Sequence, residues 1–270
     1  MKNQGLLIDI TMCIGCGECA RGCAAANGLP EEEAHELSAT HYTVLQAYNN
    51  DETFVRRMCM HCVNPTCVSA CLVGAFTRTE TGAVVYDENK CIGCRYCMQA
   101  CPFEVPRYEW TSMNPRVQKC KMCYERVAAG GQTACSEACP TGATRFGDRD
   151  ELIREARRRI DENPGTYVDH VYGLKEAGGT SVMYLSGIPF EQLGFPMTVP
   201  NEPIPELSWR VLSQIPKYSV AAGVVLFGIR WITDRRTEVA RFEAEEKRKR
   251  LAERKYPFHP SNDNAIRHQS

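Results

Sequence analysis

The sequence predicts an α+β fold of nested, repeated modules, followed by an irregular arm and a single late transmembrane helix. Three observations predict it. Sixteen cysteines fall into four groups of four between Cys13 and Cys139. Short strand candidates bracket those groups, Leu6-Leu7-Ile8-Asp9-Ile10 ahead of the first and Gly142-Ala143-Thr144-Arg145-Phe146 behind the fourth. Far beyond them SVAAGVVLFGI, from Ser219 to Ile229, runs without a charge.

The groups are Cys13, Cys16, Cys19 and Cys23; Cys59, Cys62, Cys67 and Cys71; Cys91, Cys94, Cys97 and Cys101; and Cys120, Cys123, Cys135 and Cys139, with no cysteine left over. Groups one and three follow C-x2-C-x2-C-x3-C, the bacterial ferredoxin run. Group two widens one gap to four residues and group four to eleven, while both keep C-x2-C at the start and C-x3-C at the end. A cubane of iron and sulfide presents four irons at tetrahedral corners. A tight C-x2-C-x2-C loop wraps three of them, and the fourth thiolate comes from elsewhere; in two-cluster ferredoxins it comes from the other run. Four 4Fe-4S clusters in tandem bacterial ferredoxin-like modules are therefore expected, with all sixteen cysteines as metal ligands. Proline follows Cys101 and Cys139, where the chain must turn away, but Ala24 and Leu72 follow Cys23 and Cys71. Zinc sites also use C-x2-C pairs but give no reason for a third cysteine two residues on. Repeated metal-type knuckles weigh against a secreted disulfide framework.

A length of 270 residues allows one or two domains. The net charge of -1 offers no electrostatic case for nucleic acid. MKNQGLLIDITMC reaches the first motif so soon that no cleavable signal peptide is expected. No Ser/His/Asp set, phosphate-cradling glycine loop or HExxH helix is visible, so no catalytic residue is assigned and the chain is expected not to be an enzyme by itself.

The bracketing strands are expected to pair and bring groups one and four together. Between groups two and three, Ala75 to Arg78, a Thr-Glu-Thr-Gly turn and Ala83 to Tyr86 read as a hairpin. One two-cluster module, 58–102, thus nests inside a four-cluster domain of 1–147. Asp148 caps a helix with Glu151 three residues on, and Leu152, Ile153, Ala156 and Ile160 mark its apolar face. Asn163-Pro164-Gly165 stops it. From Tyr167 to Leu207 the chain is rich in glycine and proline, an irregular arm within 148–207 that is expected to lie on a partner subunit; a loop packed on its own domain is the alternative.

Crossing a bilayer takes about 20 residues. Extending the apolar run back to Trp209 and on to Trp231 supplies them, with Arg210, Lys217 and Arg230 able to snorkel and the tryptophans as interface anchors. A single membrane helix is expected over 208–233, against a buried or interfacial helix. Arg235, Arg236, Arg241, Lys247, Arg248, Lys249 and Arg250 follow it, which by the positive-inside rule makes the tail, 234–270, cytoplasmic and puts the cluster domain outside, on the periplasmic side. Glu243, Glu245 and Glu246, four residues ahead of Lys247, Lys249 and Arg250, favour a solvated helix there. Among side chains near the clusters, His61 could tune a cluster or simply pack. Arg95, Lys119 and Lys121 flank the motifs, where positive charge favours the reduced state, against ordinary surface placement.

The strings CMHCVNPTCVSAC from Cys59 and CIGCRYCMQACPFEVPRYE from Cys91, in this four-motif order, resemble the iron-sulfur electron-transfer subunits of dimethyl sulfoxide reductase-type complexes. FGDRDELIREARRRI, VYGLKEAGGTSVMYLSGIPFEQL and the late apolar helix extend the likeness to the branch serving periplasmic hydrogenase-2 and respiratory formate dehydrogenase. The resemblance implies an exchange of ligands. One cluster takes Cys13, Cys16, Cys19 and Cys139; its neighbour takes Cys120, Cys123, Cys135 and Cys23. A third takes Cys59, Cys62, Cys67 and Cys101, and the last Cys91, Cys94, Cys97 and Cys71. It further implies a relay in the bacterial inner membrane between a catalytic large subunit, a NiFe hydrogenase or molybdopterin oxidoreductase, and an integral-membrane quinone-reactive subunit. The hydrogenase-2 branch carries a twin-arginine signal, whereas MKNQGLLID shows no such motif, so the expectation is either export with a signal-bearing partner, which the charge bias favours, or a cluster domain facing the cytoplasm. A soluble polyferredoxin shuttle is the other class of function.

Overall fold

A computed structural model describes residues 3–50, 52–113 and 115–255, in two units, Met1–Trp209 and Arg210–Ser270. In the first unit β1 (Gln4–Asp9) leads to α1 (Glu18–Asn27) and a hairpin of β2 (Thr43–Tyr48) and β3 (Thr53–Met58). Next come α2 (Thr66–Ser69), a hairpin of β4 (Phe76–Arg78) and β5 (Val84–Tyr86), α3 (Tyr96–Ala100), and the short pair β6 (Arg107–Tyr108) and β7 (Val117–Gln118). The unit continues through α4 (Tyr124–Ala128), α5 (Ala134–Glu137), β8 (Thr144–Asp148), α6 (Arg149–Glu162) and β9 (Val182–Leu185).

Both expected pairings form. β1 runs antiparallel to β8 with Leu6 opposite Phe146 and Ile8 opposite Thr144, so the chain ends of groups one and four meet. β4 and β5 make the hairpin between groups two and three, Phe76 opposite Tyr86. β1 is apolar on both faces, and Leu6, Leu7 and Ile8 are all buried, as a central strand requires. One face meets the cysteine-bearing core; on the other Leu7 packs with Leu152 and Ala156 of α6. Asp148 caps α6 as expected, its carboxylate accepting from the N–H groups of Asp150 and Glu151. The helix is pinned to the sheet by Asp9. That buried carboxylate accepts from Arg159 Nη1 (2.8 Å), the Tyr167 hydroxyl (2.9 Å) and both the N–H and hydroxyl of Thr11.

The arm departs from expectation. Instead of remaining irregular and unburied, 182–185 forms β9, adding to β1 in parallel as the third strand of the sheet, in the order β8-β1-β9. All four residues of β9 are buried, and Tyr172, Phe190, Leu193 and Phe195 join the core. The reason is the aromatic content of the arm: Tyr172 stacks on Phe190 and Phe195 with centroids 5.2 and 4.6 Å apart, and each aromatic side chain brings a large apolar area. Burial of that area offsets the entropy of ordering a glycine-rich segment. The arm also closes over group two, where Ser181 and Val182 donate to the carbonyls of His61 and Met60.

α7 (Ile204–Leu212) and α8 (Ile215–Lys255) complete the described chain. The stretch Ile204–Ala252 includes a window long and apolar enough to cross a membrane, with none of it buried against the rest of the chain. It contains the expected span of 208–233. A turn at Ser213 and Gln214 breaks it, because Pro216 lacks an N–H and disfavours helix in the residue before it, while fitting the first turn of a new helix. Trp209 therefore belongs to α7, and α8 runs unbroken from the apolar segment into the charged one. The charged tail is helical up to Lys255; its remainder, 256–270, lies outside the described residues.

Candidate metal centres

The four cysteine groups share one local geometry. Two residues after the first cysteine of each stands a left-handed residue: Gly15 (φ 73°), His61 (φ 47°), Gly93 (φ 69°) and Met122 (φ 54°). This turn folds the loop back so that its N–H points at the preceding sulfur; Gly93 N lies 3.4 Å from Cys91 Sγ and Met122 N 3.3 Å from Cys120 Sγ. Glycine takes that conformation freely, whereas a side chain costs about 1–2 kcal/mol there. His61 and Met122 are held in it nonetheless, by complete burial. The third cysteine of every group, Cys19, Cys67, Cys97 and Cys135, sits on a short helix and is buried. The long gap of group four accommodates α4 and the Gly130-Gly131 turn without disturbing that plan.

The fourth cysteine of each group interacts with cysteines of another group, and Cys23 with Cys19 of its own as well. Cys13 and Cys19 both interact with Cys139. Cys23 lies with Cys120, Cys123 and Cys135. Cys62 and Cys67 lie with Cys59 and Cys101, and Cys97 with Cys91, Cys94 and Cys71. Neighbouring sets also interact through their charges: Cys19 with Cys135, Cys120 with Cys59, and Cys67 with Cys97. The result is one row, its two end quartets each carrying an exposed cysteine, Cys16 and Cys94.

These surroundings disfavour a bare thiolate. Burial, reinforced by neighbouring thiols, pushes Cys23 and Cys97 up to about 12. Burial does the same to Cys67, up to about 12, although Lys119 opposes it. At Cys71 and Cys139 burial acts in the same sense but is outweighed by backbone N–H groups, those of Phe76, Ala75, Val73 and Gly74 at Cys71, and both thiols fall below their ordinary value. Ala75 N lies 3.2 Å from Cys71 Sγ. A pocket of thiols that resist ionising alone, yet are ringed by N–H donors, suits sulfur whose charge is shared with iron. The residues thus fit iron-sulfur clusters, which would be held by these thiolates and would supply one-electron chemistry.

His61 is fully buried; its Nδ1 accepts from Val84 N (2.9 Å), and its Nε2 has no protein partner. Lys119 is buried as well, so surface placement is wrong for it. Arg95 is exposed and lies over the Tyr108 and Trp110 rings, and Lys121 is half-buried. One residue carries only a faint signal in the sequence: Arg56, buried on β3, with its charge interacting with Cys19 and Cys135. Its alternation within TFVRRM, where Arg57 is half-buried, was the one available hint.

Residues 50–149 match the family model of a 4Fe-4S dicluster domain. A protein of Nitratidesulfovibrio vulgaris strain Hildenborough is 40% identical over 260 residues, covering 90% of this chain and 70% of its own. Hydrogenase-2 operon protein HybA of Escherichia coli O157:H7 is 36% identical over 240 residues, 72% of this chain and 73% of its own. The iron-sulfur subunit of the nitrate-inducible formate dehydrogenase of Escherichia coli K12 is 36% identical over 197 residues, 66% of each. The chain belongs to this family of iron-sulfur subunits of hydrogenase-2 and formate dehydrogenase.

Proposed function

We propose that the chain is a non-catalytic electron-transfer subunit carrying four 4Fe-4S clusters, ligated by the quartets Cys13/Cys16/Cys19/Cys139, Cys23/Cys120/Cys123/Cys135, Cys59/Cys62/Cys67/Cys101 and Cys71/Cys91/Cys94/Cys97. The observation that supports this reading is the row itself: each quartet interacts electrostatically with the next through a pair of cysteines, Cys19 with Cys135, Cys120 with Cys59 and Cys67 with Cys97. An electron entering at either exposed end can cross the unit by short steps. The chain holds and insulates the carriers and offers no acid, base or nucleophile of its own.

The relatives' names support a catalytic partner of the hydrogenase or molybdopterin formate dehydrogenase type. Exposed Val220, Val224, Leu226, Phe227, Ile229, Trp231 and Ile232 on α8 support a membrane anchor, since each such side chain gains about 1.5–3 kcal/mol on leaving water. The excess of arginine and lysine after that segment supports a cytoplasmic tail and a periplasmic cluster unit, which would be exported with a signal-bearing partner and deliver electrons to a quinone-reactive membrane subunit. The test is anaerobic affinity isolation of the full chain from native membranes. About sixteen irons per chain and a co-purifying hydrogenase or molybdopterin subunit are expected. Zinc in place of iron, or quantitative release into a carbonate wash as a soluble shuttle, would overturn the reading.

A further inference from the structure

Two cations are buried in the first unit without an anion to match them. Arg56 is 2% exposed and directs its hydrogen bonds to neutral groups: Nε to Thr43 Oγ1 (2.9 Å), Nη1 to Thr144 Oγ1 (3.1 Å) and Nη2 to Met58 Sδ (2.9 Å). Lys119 is 3% exposed, and its Nζ donates to the carbonyls of Val84 and Cys120, 5.8 Å from the centre of the Phe76 ring. Among the described residues neither forms an ion pair with a carboxylate, in contrast to Arg159, which holds Asp9 and Glu155. A buried charge left unpaired is strongly destabilising, so each needs an anion from another source.

What both face is cysteine sulfur, and at particular places. Arg56 lies against Cys19 of the first quartet in the row and Cys135 of the second. Lys119 adjoins Cys120 of the second quartet and interacts with Cys67 and Cys101 of the third. Each therefore stands at a junction between consecutive quartets. At the last junction, where Cys67 interacts with Cys97, no second buried arginine or lysine stands among the described residues, and Lys119 reaches that junction only through Cys67. A cubane core held by four thiolates is net negative at either oxidation level, and one more electron adds to that charge. A fixed cation in a medium of low dielectric favours the added electron on both sides of it.

Resting on the four-cluster reading above, we propose that Arg56 and Lys119 are built-in countercations of the row, raising the reduction potential of the clusters beside the two junctions they occupy and leaving the final step, toward the Cys71/Cys91/Cys94/Cys97 quartet, unassisted. Neither touches iron; both act through the field they impose. The assignment gives the row a direction-dependent profile: an electron is held more firmly among the first three quartets than at the fourth.

The test is a potentiometric titration, followed by electron paramagnetic resonance, of the full chain purified anaerobically. Arg56→Gln and Lys119→Gln keep donors for the neighbouring oxygens but remove the charge. Each is expected to shift the reduction equilibrium of the adjoining clusters at least about tenfold against reduction, about 59 mV for one electron. Arg56→Lys, Lys119→Arg and the control Lys121→Gln are expected to change it less than about threefold, or under 30 mV by the same conversion. Thr144→Asp supplies the missing carboxylate beside Nη1 while retaining the guanidinium, and is expected to reproduce the Arg56→Gln shift. Loss of iron from the glutamine variants alone, with the charge-keeping variants loaded, also supports the assignment. Loaded glutamine variants with unshifted potentials, or loss of iron from the charge-keeping variants too, would overturn it. Wild-type chain without iron would instead bring down the four-cluster reading, whatever the variants do.

Discussion

Cys101 follows Cys97 by four residues, yet its thiol lies with Cys59, Cys62 and Cys67, while Cys97 lies with Cys71, Cys91 and Cys94. This crossing can be counted in iron. Four cubanes hold about sixteen irons, and loss of one leaves about twelve. Cys101→Ala, chosen because alanine offers no substitute ligand, is expected to leave about twelve. Adding Cys59→Ala is expected to change nothing further, because both thiols serve one cubane. Adding Cys97→Ala instead is expected to leave about eight, because a second cubane loses a corner. Ligation by sequence-adjacent cysteines reverses the two double variants. The difference of about four irons per chain is large for colorimetric iron and sulfide assays of anaerobic protein. Retention of three-iron remnants narrows the gap but keeps the order. About eight irons in Cys59→Ala/Cys101→Ala, with about twelve in Cys97→Ala/Cys101→Ala, would refute the crossed arrangement. The pairwise comparison rests on non-additivity between groups that share one site, so a general loss of fold, which lowers both counts together, is recognisable.

Removing the carboxylate that ties α6 to β1, in Asp9→Ala, leaves the Tyr167 hydroxyl without its acceptor and Arg159 with Glu155 alone, and is expected to destabilise the loaded chain by about 1–3 kcal/mol, measured by urea unfolding followed through cluster absorbance; a loss under about 0.5 kcal/mol would contradict the role given to Asp9. Gly15→Ala places a methyl 2.7 Å from the Phe54 ring at a φ of +73° and is expected to cost about four of sixteen irons, while Gly28→Ala, which meets nothing within 4 Å, is expected to retain them all. Burial, aided by Lys119, holds His61 well below the ordinary histidine value, so the folded chain keeps it neutral while the unfolded chain takes up a proton below about pH 6.5. Stability is therefore expected to fall as pH drops below that value, by up to about 1.4 kcal/mol per pH unit from this residue, and the part of the slope between pH 6.5 and 5.5 that survives in His61→Gln belongs to other groups. Truncation after Leu212 removes α8 and is expected to move the chain from the membrane pellet to the supernatant of a carbonate wash, with its iron retained.

Much of the first unit is legible in the residues because its signals are local. The β1 and β8 pairing, the β4–β5 hairpin and the Asp148 cap each announce themselves within a few positions, by alternation, turn chemistry or a capping side chain. β9 does not. Its burial comes from a parallel alignment with a strand near the other end of the unit and from rings drawn from Tyr172 to Phe195, contacts that no window of sequence contains. The same holds for Arg56, which is unremarkable within its strand and acquires meaning only when Cys19 and Cys135 converge on it. His61 and Met122 hide for another reason: glycine marks the left-handed position in groups one and three, whereas the other two groups fill it with side chains that tertiary packing holds there. The break before α8 was readable in Ile215-Pro216, but hydropathy alone runs straight across it.

The exposure of Cys16 and Cys94, against the shelter of the inner sulfurs, bears on how such a protein fails. In the proposed four-cluster row molecular oxygen and peroxide would meet the extremities before the middle, so brief contact with air would corrode the ends while the interior stayed intact. A damaged molecule of this kind would still be brown, still be folded and no longer conduct, which makes colour a poor measure of its competence.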